Sequence, residues 1–142
     1  MKNLFLFLFF IYINCKSKLI DQIPDCEISE KGRFKYIQIK ITQKKEPKDS
    51  KIVIRGKYGL AYHKNNFKLF LSTLKKSNKK LFKSFTYEPI GGGFIKINKT
   101  NIIIDGFSNA YGYADHSITA KILKDEYPNH KIDFDKTFPD DL

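Results

Sequence analysis

The chain has 142 residues, of which 42% are hydrophobic and 15% aromatic, a composition that indicates one folded domain and excludes a disordered or two-domain protein. The net charge of +11 is weak evidence for nucleic-acid binding, because only two of the 26 basic residues are arginines. The chain is also rich in Lys, Asn, Ile and Phe, a bias that A+T-rich coding alone would give. The two cysteines, Cys15 and Cys26, support neither a disulfide framework nor a zinc site.

The N-terminus is an apolar leader. Residues 4–13 carry no charge and follow Lys2, and Cys15-Lys16-Ser17 offers small residues at a spacing that a signal peptidase accepts. The run is about half the roughly 20 residues needed to span a bilayer as a helix. We therefore expect residues 1–17 to be a cleaved signal peptide, residues 18–142 to form the domain, and the protein to be secreted. A mis-annotated start codon or a packed N-terminal strand are the alternatives, and they would leave the protein cytoplasmic.

The first half of the domain shows strand and then helical periodicity. Residues 33–42 alternate with period two, which places Ile37, Ile39, Ile41 and Lys35 on one face. A charged turn leads into a short strand at residues 52–55. Residues 60–74 have apolar side chains at helical spacing and lysines near the opposite face, so they are predicted to form an amphipathic helix that starts near His63.

The second half contains more strands and one helix. The predicted strands are residues 85–90, 94–98 and 101–107 and the segment around Ile132 and Phe134. The glycine run at residues 91–93 is interpreted as a bulge or turn that needs positive φ, and residues 113–127 as a helix that ends before Pro128. The order predicts an α/β protein of the α+β type, a single compact domain with a mixed β-sheet of about six strands and two principal helices.

Three separated segments fit one phosphate site. The first puts Lys35 on an otherwise apolar strand face, and the second places His63 at the start of a helix. The third is an apolar strand that runs into a loop of small residues at 108–110 and then into a helix N-terminus, whose N–H groups can hold an anion. Together they predict a phosphate enzyme that uses no metal.

The same segments carry a resemblance. From residue 23 to residue 134 the chain resembles the protein phosphohistidine phosphatase family, also called Janus/ocnus. The matching stretches are IPDCEI, GRFKYIQI, IRGKYGLAYH, IGGGFI, GFSNAYGYADH and EYPNHKI. The resemblance implies a compact α/β domain with a mixed sheet, and hydrolysis of phosphoramidate (P–N) bonds, chiefly phosphohistidine in proteins. It also implies no metal, no cofactor, and phosphohistidine-containing proteins or peptides as partners.

Site residues follow from the resemblance position by position. His63 matches the catalytic histidine, as general base or nucleophile, and Lys35 matches the substrate-binding lysine. The loop whose backbone and hydroxyl hold the phosphate is matched by Ser108, Asn109 and Ala110.

Three further positions bear on the site. Arg55 stands where the family has an arginine before a glycine, which implies phosphate binding, and His116 stands where it has a second histidine, which implies support for the site. Phe94 departs from the family, because members usually carry an arginine directly after the glycine triplet. One phosphate contact is therefore expected to be missing, and a leader is unusual for a typically cytosolic family.

Other interpretations of these residues remain open. From the residues alone, His63 could be a core histidine, Lys35 a lysine that snorkels to water, and His116 part of a helix cap. Residues 57–83 contain eight lysines and no acidic residue, but these lysines lie along a solvated helix face, so we expect no nucleic-acid partner. We also expect a monomer with no stable membrane insertion. A weak or inactive family member that binds phosphoproteins or other anionic partners is the alternative, and Phe94 is its best support.

Overall fold

The computed structural model describes residues 17–136, so the predicted signal peptide lies outside the described residues except for Ser17. The strands are β1 Cys26–Ile28, β2 Gly32–Gln43, β3 Ser50–Gly56, β4 Phe85–Ile97, β5 Asn101–Asp105 and β6 Lys131–Phe134. The helices are α1 His63–Ser77, α2 Lys79–Lys83 and α3 His116–Glu126, and a single 3₁₀ turn, Leu19–Gln22, precedes the first strand.

All six strands form one mixed sheet in the order β1-β3-β2-β4-β5-β6. The central strands are antiparallel, while β1 pairs with β3 and β5 with β6 in parallel at the two edges. The predicted fold class is confirmed: a single α+β domain with a six-stranded mixed sheet and two substantial helices.

The predicted number of strands is correct, although one strand of the structure was not predicted and two predicted strands form a single strand. Residues 85–90 and 94–98 belong to one strand, β4, which continues through the glycine run. Its pairing with β2 shifts between Gln38 and Ile39, so that Ile90 is the extra residue of a β-bulge next to the glycines, as the bulge interpretation predicted. The strand that was not predicted is β1, which at three residues is too short to display a period.

The helical pattern of residues 60–74 and the helix predicted at residues 113–127 each start three residues before the corresponding helix of the structure. Helix α1 begins at His63 and α3 at His116, because the residues before them are extended or in turns. At α3 the boundary is set by Asp115, whose carboxylate accepts a hydrogen bond from the N–H of Ser117 at 3.0 Å. His63 is therefore the first residue of its helix.

The two helices cover opposite faces of the sheet. Alternation along β2 sends Ile37, Ile39 and Ile41 to the core under α1, and Phe34 and Tyr36 to the core under α3. Each fully buried side chain of this size contributes about 1.5–3 kcal/mol. The sheet thus brings the start of α1 and the loop before α3 together around the middle of β4, where the site lies.

Candidate active site

A cavity of about 530 Å³ opens where α1 begins. Its walls are formed by Lys35, Tyr62, His63, Lys64, Phe94, Phe107, Asn109 and Ala110. The cavity draws on β2, the start of α1 and the loop after β5, which are the three segments that the sequence pattern grouped. The structure therefore brings four of the predicted site residues together, and the roles assigned to them stay predictions.

His63 is held in one orientation at the cavity wall. Its side chain is 7% exposed, and Nε2 lies 2.8 Å from the carbonyl oxygen of Gly93. Because a carbonyl can only accept, Nε2 carries the proton, and in the neutral ring Nδ1 is left as the basic atom. Burial lowers the pKa of His63 below its usual value; the hydrogen bond to Gly93 opposes this, and the charge of Lys35 adds to it. His63 is therefore neutral near pH 7.

The glycine run lets a histidine ring approach each face of β4. A Cβ on Gly92 would lie 2.9 Å from Cδ2 of His63, and a Cβ on Gly93 would lie 2.7 Å from Cε1 of His116. Neither glycine has positive φ, so close approach rather than backbone conformation requires them. Sequence reasoning identified the bulge and missed this requirement, for which consecutive glycines inside a strand were the available signal.

His116 supports the loop from beneath rather than lining the cavity. Its Nε2–H donates to the carbonyl of Gly106 at 2.8 Å, which leaves Nδ1 to accept from the hydroxyl of Tyr36 at 2.6 Å. Tyr36 in turn accepts from Thr119, which accepts from Gln38. This buried network ties the turn at Gly106, where φ is +70°, to the centre of the sheet. The supporting role for His116 stays a prediction.

Two residues of the loop after β5, Asn109 and Ala110, line the cavity. Ser108 is 1% exposed and does not line the cavity; its N–H and carbonyl pair with Gly112, and its Oγ accepts from the N–H of Tyr111 at 3.1 Å. Within residues 17–136, the N–H groups of Asn109 and Ala110 have no acceptor. Asn109 and Ala110 are therefore available to an anion, while Ser108 shapes the turn.

The helix whose N-terminus lies at the cavity is α1. The sequence pattern predicted instead that the helix after the loop, α3, would present its N-terminus to the anion. The first turn of α3 packs on the other face of the sheet, and Asp115 already caps it. At α1 the N-cap residue is Tyr62, which makes no side-chain capping bond, and the first turn has no acidic residue. The positive end of the α1 dipole is thus left for a ligand.

Arg55 lies away from this cavity. It is 6% exposed and lines a separate cavity of about 700 Å³ between α1 and the β1–β3 edge. Its guanidinium donates to the carbonyls of Ile54 and Pro24, both at 2.8 Å, and lies 3.3 Å from Glu27. Burial lowers its pKa. The structure does not bring Arg55 to the other predicted site residues, because its position on β3 faces the underside of α1, where its guanidinium lies over Phe70.

Phe94 has its own partners at the position where an arginine was expected. Its ring packs edge-on against His63, with centroids 5.6 Å apart. The Nζ of Lys35 lies 5.2 Å from the centroid of Phe94, and the guanidinium carbon of Arg33 lies 4.1 Å from it. Sequence reasoning did not single out Arg33, although its place two residues before Lys35 on the same strand was a signal.

No group of three or more His, Cys, Asp or Glu side chains between residues 17 and 136 could hold a metal ion. In the same part of the chain no helix is long and apolar enough to cross a bilayer.

Comparison with known proteins finds matches to one family along most of the chain. The sequence model of the Janus/Ocnus family matches residues 20–131. The sex-regulated protein janus-A of Drosophila pseudoobscura pseudoobscura is 34% identical over 127 residues, which cover 82% of this chain and 80% of that protein. The 14 kDa phosphohistidine phosphatase of Sus scrofa is 32% identical over 117 residues, and that of Homo sapiens 28% identical over 116 residues; each match covers 78% of this chain and 88% of the relative. The two sets of names differ in what they say about activity.

Proposed function

The chain belongs to the Janus/Ocnus family, and we propose that it is a protein phosphohistidine phosphatase, which hydrolyses the P–N bond of phosphohistidine without a metal ion. The observation that carries the proposal is the state of His63: a buried, neutral imidazole whose Nε2–H is fixed on Gly93, at the start of a helix and beside a lysine. Relatives named as phosphohistidine phosphatases support the substrate class.

The phosphoryl group is bound by charge and by backbone N–H groups. Lys35 is half-buried on the cavity wall, so its ammonium attracts an anion more strongly than an exposed lysine does. The N–H groups of Asn109 and Ala110 and the first turn of α1 complete the set of donors. Phosphoryl transfer spreads charge over three equatorial oxygens, and donors of this type stabilise that charge in the transition state.

His63 acts through Nδ1 in either of two ways. As a general base, it takes a proton from a water molecule that attacks phosphorus while the P–N bond breaks and the substrate imidazole takes up a proton. As a nucleophile, Nδ1 bonds to phosphorus while the P–N bond of the substrate breaks and the substrate imidazole takes up a proton and leaves; water then hydrolyses the phosphorylated His63. In both cases the hydrogen bond from Nε2 to Gly93 stabilises the imidazolium that develops. Trapping labelled enzyme after an alkaline quench, in which phosphohistidine survives, distinguishes the two mechanisms.

A second candidate is a protein that binds phosphohistidine proteins without turning them over. Phe94 favours it, since the family's arginine at this position would add a cation to the transition state. The names of the janus-A relatives state no activity and leave this candidate in place.

The test is release of inorganic phosphate from a phosphohistidine peptide by the purified chain, measured with and without EDTA. The phosphatase proposal expects many turnovers per protein molecule, at a rate that EDTA leaves unchanged. Binding of the peptide without release would replace it with the second candidate. A rate that collapses on chelation and returns with magnesium or zinc would contradict the metal-free site.

We further propose that the domain acts as a monomer.

A further inference from the structure

A second cation lies next to the cavity without lining it. Arg33 is on β2, two residues before Lys35, so both side chains leave the same face of the sheet. The Arg33 side chain is 52% exposed, and Arg33 lines a neighbouring cavity of about 720 Å³ together with Lys96 and His130. None of the roles assigned so far uses it.

Phe94 holds Arg33 in place. The register of the sheet sets Phe94 opposite Lys35, and the ring lies under both cations, with the guanidinium carbon of Arg33 4.1 Å and the Nζ of Lys35 5.2 Å from its centroid. Both distances are those of cation–π contacts. The ring therefore fixes the guanidinium at the rim of the cavity and separates it from the phosphoryl site at Lys35 and His63.

The present partner of Arg33 is a loosely held carboxylate. Oδ1 of Asp105 lies 3.5 Å from Nη2 of Arg33, and the Asp105 side chain is 47% exposed. Charge-assisted N–H···O bonds are usually about 2.7–2.9 Å long. An ion pair that is so long and so exposed is weak, so a carboxylate from another molecule can compete with Asp105 for the guanidinium.

We propose that Arg33 is a second anion subsite, which binds a carboxylate of the substrate protein close to the phosphorylated histidine. The chain would then select phosphohistidines with acidic neighbours. The inference rests on the proposed function, which places the phosphoryl group at Lys35. A carboxylate is the fitting ligand because the planar guanidinium can bind both its oxygens. An extended substrate advances roughly 3.3–3.6 Å per residue, so a side chain next to the phosphohistidine can reach the rim.

The test measures binding rather than turnover. Two peptides carry a non-hydrolysable phosphonate analogue of phosphohistidine, flanked on both sides by Asp in one and by Asn in the other. Fluorescence anisotropy at low salt should give roughly two- to fivefold tighter binding of the Asp peptide. Arg33→Gln should remove this preference, whereas Asp105→Asn, which removes the competing carboxylate, should increase it.

Lys96→Gln is the matched control, because Lys96 is exposed and pairs with Arg33 on the neighbouring strand. It should keep most of the preference. Equal affinities of the wild type for the two peptides would overturn the subsite, as would an equal loss in Lys96→Gln and Arg33→Gln. Phosphate release from the corresponding phosphohistidine peptides separates the two proposals: tight binding of the Asp peptide without release leaves the subsite and removes the phosphatase, and release without an Asp preference does the reverse.

Discussion

His63 donates a hydrogen bond from Nε2 to the carbonyl oxygen of Gly93 over 2.8 Å, and the same glycine makes room for His116 on the opposite face of the sheet. One backbone position therefore orients the histidine of the cavity and admits the histidine that supports the loop. Any side chain at residue 93 would disturb both.

The first prediction concerns this position. Gly93→Ala would place a Cβ 2.5 Å from the carbonyl oxygen of Asp105 and 2.7 Å from Cε1 of His116. Because the first of these contacts is with backbone, the strand must shift, and we expect a loss of about 1–3 kcal/mol in the free energy of unfolding. Urea denaturation measures it. Thr86→Ala, at an exposed position on the same strand, should stay within about 0.5 kcal/mol of the wild type. Similar stabilities for the two variants would show that the space around Gly93 is not tight.

The second prediction concerns the titration of His63. Burial and the charge of Lys35 lower its pKa, so the ring should take up a proton only below pH 6.5. Since the unfolded chain binds that proton at higher pH, the contribution of His63 to folding stability falls as the pH drops below 6.5. Phosphate release should fall on the acid side with the same midpoint as the His63 titration.

Nuclear magnetic resonance of the His63 ring gives this midpoint directly. Lys35→Met removes a nearby positive charge and should raise the pKa of His63, with the part due to burial left in place. A wild-type midpoint above 6.5, or one that does not move in Lys35→Met, would contradict the electrostatic account.

The third prediction separates Lys35 from Ser108. Lys35→Ala removes a charged contact and should weaken the binding of inorganic phosphate by about tenfold or more. Ser108→Ala should have a smaller effect, because Ser108 does not line the cavity, its hydroxyl accepts from Tyr111, and the backbone of Asn109 and Ala110 remains. Isothermal titration calorimetry gives the affinities. Lys40→Ala, an exposed lysine on the same strand, is the control and should bind as the wild type does. Unchanged affinity in Lys35→Ala would identify Lys35 as a surface lysine.

The fourth prediction concerns the leader, residues 1–17. The apolar run is too short to span a bilayer and is followed by an acceptable cleavage site, so we expect the mature protein to begin near Lys18 and to be secreted. N-terminal sequencing of protein from its native cell measures this. An intact N-terminus at Met1 or Lys2 would show that the leader is not a signal peptide and would favour a cytoplasmic enzyme.

The sheet and its helices were predictable because their patterns are local. The alternation of Ile37, Ile39 and Ile41 identifies a strand with one face in the core, and that core lies under α1 as expected. Strand β1 was missed because three residues display no period, and β4 was divided because glycines usually interrupt strands.

The site was predictable in part. Lys35, His63, Asn109 and Ala110 line one cavity, as predicted. They could be grouped from the sequence because local patterns place them on a strand, at a helix start and in a loop. Arg55 was grouped with them through the family resemblance, but its guanidinium is bound to the carbonyls of Ile54 and Pro24 at a separate cavity, which the sequence did not show. The guanidinium next to the cavity belongs instead to Arg33, and only the pairing of β2 with β4 places it over Phe94.

The measurement that tests the central claim most directly compares His63→Ala with His130→Ala in phosphate release from a phosphohistidine peptide. His130 is partly buried, and its ring bonds to the carbonyl of Asn98 outside the cavity, so it controls for the loss of a histidine as such. The account predicts that His63→Ala folds and loses at least about 100-fold in rate, as expected when a general base is removed, while His130→Ala keeps the wild-type rate. A His63→Ala protein that releases phosphate as fast as the wild type would contradict it.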